Sequence, residues 1–183
     1  MSSYVRHGFP DLAVQDNIDA IISTSHRNKC VEYGQLFQAF HKFTVAAGQT
    51  YNISFRTGNK AIRAYPSVIV TSADKVDFKY FEGATATGGT AITPYCQNRA
   101  DAPTSEIVMS GGATVTVAGT QVAQAWLPGA EGVGQSRSGT AGAGGDTYWQ
   151  LKPNTTYILQ FVNGSTSANT IQLNEIWTEG ELA

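Results

Sequence analysis

The side chains of this sequence that could bind a metal ion or act as a nucleophile are few and widely spaced. The histidines His7, His26 and His41 are separated by spacings that match no metal-binding motif. The cysteines Cys30 and Cys96 lie far apart and form no CxxC pair, so they complete no such motif. We therefore predict no metal site and no cofactor. We expect two free thiols in a reducing cytoplasm, with a single disulfide as the alternative.

Motifs that activate a serine or cradle a phosphate are also missing. Residues 135–139 (QSRSG) fall short of the GxSxG nucleophile elbow because glutamine replaces the first glycine, and there is no GxxxxGK[ST] loop. A carboxylate pair could still cleave a glycosidic bond, since the separation of the two acids depends on the fold. The candidates for such a pair are Glu82, Glu106, Asp146, Glu175 and Glu179. With so few acids, a solvated or turn position is favoured for each. We predict no catalytic residues and no enzyme, and a glycan hydrolase ranks last among the hypotheses.

Aromatic side chains offer a second kind of chemistry, because flat rings can stack on sugars or fill a core. The residues concerned are Trp126, Trp149, Trp177, Tyr95, Tyr148 and Tyr157. A core position or a subunit contact is the favoured interpretation for the three tryptophans. A carbohydrate-binding module is the alternative function.

Composition narrows the possible partners. Only 14% of the 183 residues are charged, the net charge is −2, and no basic cluster is present, so nucleic-acid binding is not expected. No apolar run is long enough to cross a membrane, and the N-terminus lacks the pattern of a signal peptide. A surface so poor in charge is weakly protected against association. We expect the chain to be packed in an assembly.

The hydrophobic pattern predicts strands throughout. Tyr51, Ile53 and Phe55 alternate with polar residues, as do Tyr157, Leu159 and Phe161, and we assign all six to the core. Residues 36–45 are apolar too often for clean alternation, which predicts a strand covered on both faces or a bend. Gly58 and Asn59 predict a turn that folds the chain back after the Tyr51 strand.

Further strands are predicted at 61–65, 67–71, 76–81, 92–95, 106–109, 114–118, 122–126, 147–151, 155–163 and 170–179. No helical period lasts three turns. The predicted fold is all-β, a jelly-roll-like antiparallel β-sandwich spanning residues 18–183, preceded by an irregular N-terminal arm at residues 1–17. Residues 129–146 contain seven glycines and predict a long loop. Such a loop is either a mobile surface loop or one that orders against a neighbouring subunit.

Four stretches resemble a family of tailed-bacteriophage virion proteins. They are residues 32–37 (EYGQLF), 80–99 (YFEGATATGGTAITPYCQNR), 135–139 (QSRSG) and 149–157 (WQLKPNTTY), and they occur in the family's order. Together they extend the resemblance over roughly residues 32–179. Cys96 and Gln97 differ from the residues usual in the family at these positions, and the first thirty residues resemble no part of the family's sequence.

The resemblance implies a small β-sandwich that decorates the phage head. Such a protein would bind the major capsid protein, self-associate as a homotrimer or homodimer, and strengthen the capsid surface of the virion after synthesis in the host cytoplasm. A tail or baseplate location stays open. The residues expected to contact the capsid or another subunit are Tyr4, Val5, Phe9 and Leu12 of the arm, with Arg137, Trp126 and Trp149.

Overall fold

A computed structural model describes residues 13–14, 21–22, 26–65, 67–71, 75–127, 137–141 and 148–180. These residues form seventeen strands and one short helix. The arm residues Tyr4, Val5, Phe9 and Leu12 lie outside the described ranges. A two-residue strand within the predicted arm, Ala13–Val14, pairs with Ile21–Ile22.

In chain order the elements are β1 Ala13–Val14, β2 Ile21–Ile22, α1 His26–Glu32, β3 Leu36–Val45, β4 Thr50–Arg56, β5 Ile62–Ala64, β6 Ser67–Thr71, β7 Val76–Glu82, β8 Thr85–Thr87, β9 Thr90–Ile92, β10 Tyr95–Cys96, β11 Val108–Gly111, β12 Thr114–Val117, β13 Thr120–Leu127, β14 Arg137–Ala141, β15 Trp149–Leu151, β16 Thr156–Val162 and β17 Asn169–Glu179.

The main strands pair as nested antiparallel partners, the first with the last. β3 pairs with β17, β4 with β16, β5 with β15, β6 with β14 and β7 with β13. One sheet has the order β10-β3-β17-β5-β15, and β6 joins it between β17 and β14. The other sheet has the order β13-β7-β16-β4-β11-β9. A long hairpin rolled into two antiparallel sheets is the jelly roll, so the predicted fold class is confirmed.

The excursion between β7 and β13 closes one edge of the sandwich. β11 pairs with β4 and then with β9, while β10 pairs with β3 in the opposite sheet. Thr93 and Pro94 cross between the two sheets, which splits the single strand predicted at residues 92–95. Proline cannot donate a ladder hydrogen bond, so a break at Pro94 is expected.

Alternating side chains from both sheets meet in one core. Trp177 of β17 is fully buried; its ring centroid lies 6.2 Å from that of Phe37 and 5.6 Å from that of Phe55 in the opposite sheet. The core predictions for Ile53, Phe55, Tyr157, Leu159 and Phe161 are confirmed, whereas Tyr51 packs against the core and is only partly buried.

Strand β3 differs from its prediction in a way that the helix explains. It alternates from Phe37 to Val45, and only its first residue, Leu36, is buried on the other face. Leu36 packs there with Cys30 of α1 and with Tyr65. Helix α1 has only two turns, too few for a periodic signal. It ends at Glu32 and is capped by Gly34, whose φ of 65° allows Gln35 N–H to reach the Cys30 carbonyl at 2.8 Å.

Two local predictions about turns and loops were wrong. Gly58 and Asn59 do not make a hairpin, because β4 pairs with β11 and β16 while β5 belongs to the other sheet. Residues 137–141 of the predicted glycine-rich loop form a strand that pairs with β6 of the same chain. Small residues at 138–141 permit a strand as readily as a loop when a partner strand supplies the hydrogen bonds.

Candidate interaction surface

Each of the described candidate acids has a structural partner, and two of them, Glu106 and Glu179, share Lys60. Glu179 is 3% exposed at the end of β17, where its Oε1 accepts a 2.9 Å hydrogen bond from Trp177 Nε1–H and another from the Ser105 hydroxyl. Its Oε2 accepts from the Glu106 backbone N–H at 3.0 Å. Lys60 Nζ lies 4.0 Å from Glu179 and 3.3 Å from Glu106. This carboxylate holds residues 105–106 against β17.

Glu82 belongs to a second cluster at one end of the sandwich. Its Oε1 accepts from Lys152 Nζ at 2.6 Å and its Oε2 from the Tyr157 hydroxyl at 3.1 Å. The hydrogen bond from Lys152 holds the pKa of Glu82 below its ordinary value. Burial, with the charge of Glu82 beside it, raises the pKa of Tyr157 to about 12. These contacts tie β7 to the turn that precedes β16.

Glu175 points into the core from β17 and is 3% exposed. Burial raises the pKa of Tyr80 well above its ordinary value, and the charge of Glu175 adds to the effect. Asp146, the fifth candidate acid, lies outside the described residues. Of the four that are described, Glu106 and Glu179 lie together on Lys60, whereas Glu82 and Glu175 belong to other clusters. Because Glu179 is buried, Glu106 and Glu179 do not form an exposed pair.

The histidine and the cysteines with described side chains are also held in packing positions. His41 Nε2 lies 3.0 Å from the Tyr51 hydroxyl, its ring stacks on Phe43, and burial lowers its pKa. Cys30 and Cys96 are both buried and neither is in a disulfide, and burial raises the pKa of the Cys30 thiol. Within the described part of the chain, no three His, Cys, Asp or Glu residues are grouped as metal ligands.

The tryptophans have different environments, and two of them share one edge of the sandwich. Trp177 is core, as the first of the two favoured interpretations predicts. Trp126 on β13 is 66% exposed and Trp149 on β15 is 46% exposed. The ring of Trp149 approaches Tyr80 of the opposite sheet at 6.4 Å, which places β15 beside β7 and hence near β13.

Strand β14, which begins at Arg137, lies against β13. The strands that carry all three described contact candidates therefore lie along one edge of the sandwich, which we name the β13–β15 edge. Trp126 and Trp149 do not make a joint stacking platform. Trp126 faces outward opposite Asp77, whereas Trp149 follows the inward register of Leu151. Tyr157 and Trp177 are buried and unavailable to a ligand.

Strand β13 is an unusual edge strand. Its eight residues, TQVAQAWL, include no charge and no proline. Among the described residues it pairs only with β7, so one side of its backbone has no partner strand there. Natural edge strands are usually blunted by charge, proline or brevity, and β13 has only a bulge between Gln121 and Ala123. Such an edge is suited to association.

A second exposed site lies at the opposite edge, and of its residues only Tyr95 was named from the sequence as a candidate sugar-stacking ring. Phe40 of β3 and Tyr95 of β10 stack with ring centroids 5.6 Å apart and planes inclined by 13°. They line an open groove of about 430 Å³ with Gln38, Cys96, Gln97 and Arg99. We name this the β3–β10 groove. Phe40 lies an odd number of residues from the inward-facing Phe37 and so faces outward, but only the β3–β10 pairing reveals its neighbour.

No helix among the described residues is long and apolar enough to cross a membrane. Comparison of the chain with family models, curated proteins and solved structures gave no match.

Proposed function

We propose that this chain is a structural virion protein that binds the outer surface of a tailed-phage capsid and stabilises it. The proposal starts from the four stretches that resemble phage virion proteins and from a surface with little charge. Its partners would be the major capsid protein and further copies of the chain, as a homotrimer or homodimer. It would act without catalysis, cofactor, nucleic acid or membrane, at the capsid surface, after synthesis in the host cytoplasm.

The observation that carries the proposal is the β13–β15 edge. An uncharged edge strand offers backbone N–H and C=O groups to another chain, and pairing of this kind gives affinity without a deep pocket. Trp126 beside it supplies a large apolar surface that gains free energy when it is removed from water. Many weak contacts of this type, repeated over a shell, would give firm attachment.

The test is binding of purified protein to capsids assembled without it, followed by cosedimentation and electron microscopy. We expect regular density on the head and greater resistance of the capsid to heat. Light scattering gives the oligomeric state in the same preparation. Density only on the tail, or no binding to particles at all, would overturn the proposal.

Two variants connect that result to the edge. Trp126→Ala removes the exposed ring, and Gln121→Lys places a charge on the edge strand. Both should weaken capsid binding or self-association at least tenfold. Tyr33→Ala is the matched control, because Tyr33 is 68% exposed but follows helix α1. Equal binding by all three variants would show that the contact lies elsewhere.

A further inference from the structure

The β3–β10 groove combines apolar rings with hydrogen-bonding groups on an open surface. Phe40 is 58% exposed and Tyr95 is 41% exposed, which is unusual for two aromatic rings in contact with each other. Because the rings are nearly parallel and their centroids are 5.6 Å apart, they overlap only in part, and both remain exposed enough to contact a ligand. The groove is built on β3, which pairs with β17 along its whole length and whose inner face is core, so its floor is rigid.

The polar groups of the groove point to a ligand rich in hydroxyls. Gln97 Nε2 donates to Gln38 Oε1 at 3.3 Å, which orients both amides. The Gln38 amide group then retains its N–H donors, and Gln97 retains its carbonyl oxygen as an acceptor. Arg99 adds a planar set of donors at the rim. A saccharide offers both partners that this arrangement needs, C–H faces for the rings and hydroxyls for the amides.

Other ligand classes fit the groove less well. A nucleic acid would need several cations along its path, but Arg99 is the single cation among the lining residues. A peptide added as a further strand would need a longer edge, since β10 has two residues. An apolar partner protein would leave the Gln38 N–H donors and the Gln97 carbonyl oxygen without water or a bonding partner.

We propose that the β3–β10 groove is a saccharide-binding site, in which sugar rings stack on Phe40 and Tyr95 and their hydroxyls bond to Gln38, Gln97 and Arg99. The site lies at the opposite edge of the jelly roll from the β13–β15 edge. A copy attached to a particle through that edge would still present the groove to solvent. The inference does not depend on the proposed function, because saccharide binding is measured on the free protein.

The test begins with an array of neutral and acidic oligosaccharides, followed by calorimetry with the best of them. Phe40→Ala and Tyr95→Ala should each weaken binding at least tenfold. Tyr33→Ala, which removes an exposed ring away from the groove, should leave affinity unchanged. Arg99→Gln distinguishes acidic from neutral saccharides as the ligand. A loss of affinity confined to uronate or sialyl sugars would show that Arg99 binds a carboxylate. An equal loss of affinity for neutral sugars would show that it binds hydroxyls.

Gln97→Ala provides a second route should an aromatic variant fail to fold, since its backbone hydrogen bond to Leu36 is retained. It should lower affinity several-fold with an unchanged melting temperature. No saccharide binding by the wild-type protein, or full binding by Phe40→Ala, Tyr95→Ala and Gln97→Ala, would overturn the inference. Capture of a peptide instead of a sugar at the same residues would overturn it as well.

Discussion

Replacing Glu179 by glutamine tests whether its buried carboxylate holds the segment between β7 and β13 against the rest of the jelly roll. The carboxylate is 3% exposed and accepts hydrogen bonds from Trp177, Ser105 and the Glu106 backbone. Glutamine retains one acceptor oxygen for the two donors on Oε1. Its amide group then faces the Glu106 N–H, so that part-buried donor loses its acceptor.

The expected loss follows from the two consequences of this change. Removing a hydrogen bond to a charged group costs roughly 1.5 kcal/mol or more, and a buried unsatisfied donor costs about 1–3 kcal/mol. We therefore expect Glu179→Gln to lower the free energy of unfolding by about 3 kcal/mol. For a domain of this size that corresponds to a fall in melting temperature of about 6–12 °C.

Chemical denaturation followed by tryptophan fluorescence measures the effect, since Trp177 is itself a donor to Glu179. Glu106→Gln is the control, because it makes the same chemical change in a more exposed carboxylate that contacts the same lysine, Lys60. It should cost much less than Glu179→Gln. A loss below about 1 kcal/mol for Glu179→Gln, or equal losses for the two variants, would refute the reasoning.

Other perturbations test the packing between the sheets and its dependence on pH. In Gly111→Ala the new Cβ would lie 2.7 Å from both His41 Nε2 and the Tyr51 hydroxyl, so we expect the free energy of unfolding to fall by about 1–3 kcal/mol in denaturant melts. The control Gly164→Ala, whose Cβ meets nothing within 4 Å, should change it by no more than about 0.5 kcal/mol. Equal losses for the two variants would contradict the clash. Because burial lowers the pKa of His41, the contribution of this neutral ring to stability should be complete above about pH 6.5 and decrease as the pH falls below that value. In His41→Gln the plot of unfolding free energy against pH should therefore be flatter between about pH 5 and 7. Parallel plots for the variant and the wild type would exclude His41 as the cause of the slope. Because the pKa of Tyr157 is raised to about 12, its protonated hydroxyl contributes stability that is complete below about pH 10 and is lost as the pH rises from 10 to 12. Tyr157→Phe should remove this part of the loss of stability at alkaline pH. An unchanged dependence of stability on pH above about 10 would argue against this role of Tyr157.

Much of the fold was predictable from local patterns. The alternation of Tyr157, Leu159 and Phe161 with polar residues reflects the two-residue period of a strand, which the backbone imposes wherever it is extended. The core residues and the all-β class followed from that period. Helix α1 was not predictable in the same way, because two turns in which Cys30 is the one buried residue at positions 27–32 give no repeat to detect.

The candidate site was only partly predictable. Trp126, Trp149 and Arg137 were chosen for their chemistry, and the fold places their strands along one edge. That outcome depends on β7 pairing with β13 and β6 with β14, which no neighbouring residue specifies. The stacked pair of Phe40 and Tyr95 was missed for the same reason.

The sequence by itself determined that the chain forms strands, which side chains face inward along them, and that familiar catalytic and metal motifs are missing. These properties depend on residues within a few positions of one another. Only the tertiary structure decided which strands pair, which tryptophan is buried, and which side chains meet at the β13–β15 edge and the β3–β10 groove. Strand pairing is a long-range choice, because hydrogen bonds between backbones are nearly independent of residue type and the register is selected by the packing of the whole core.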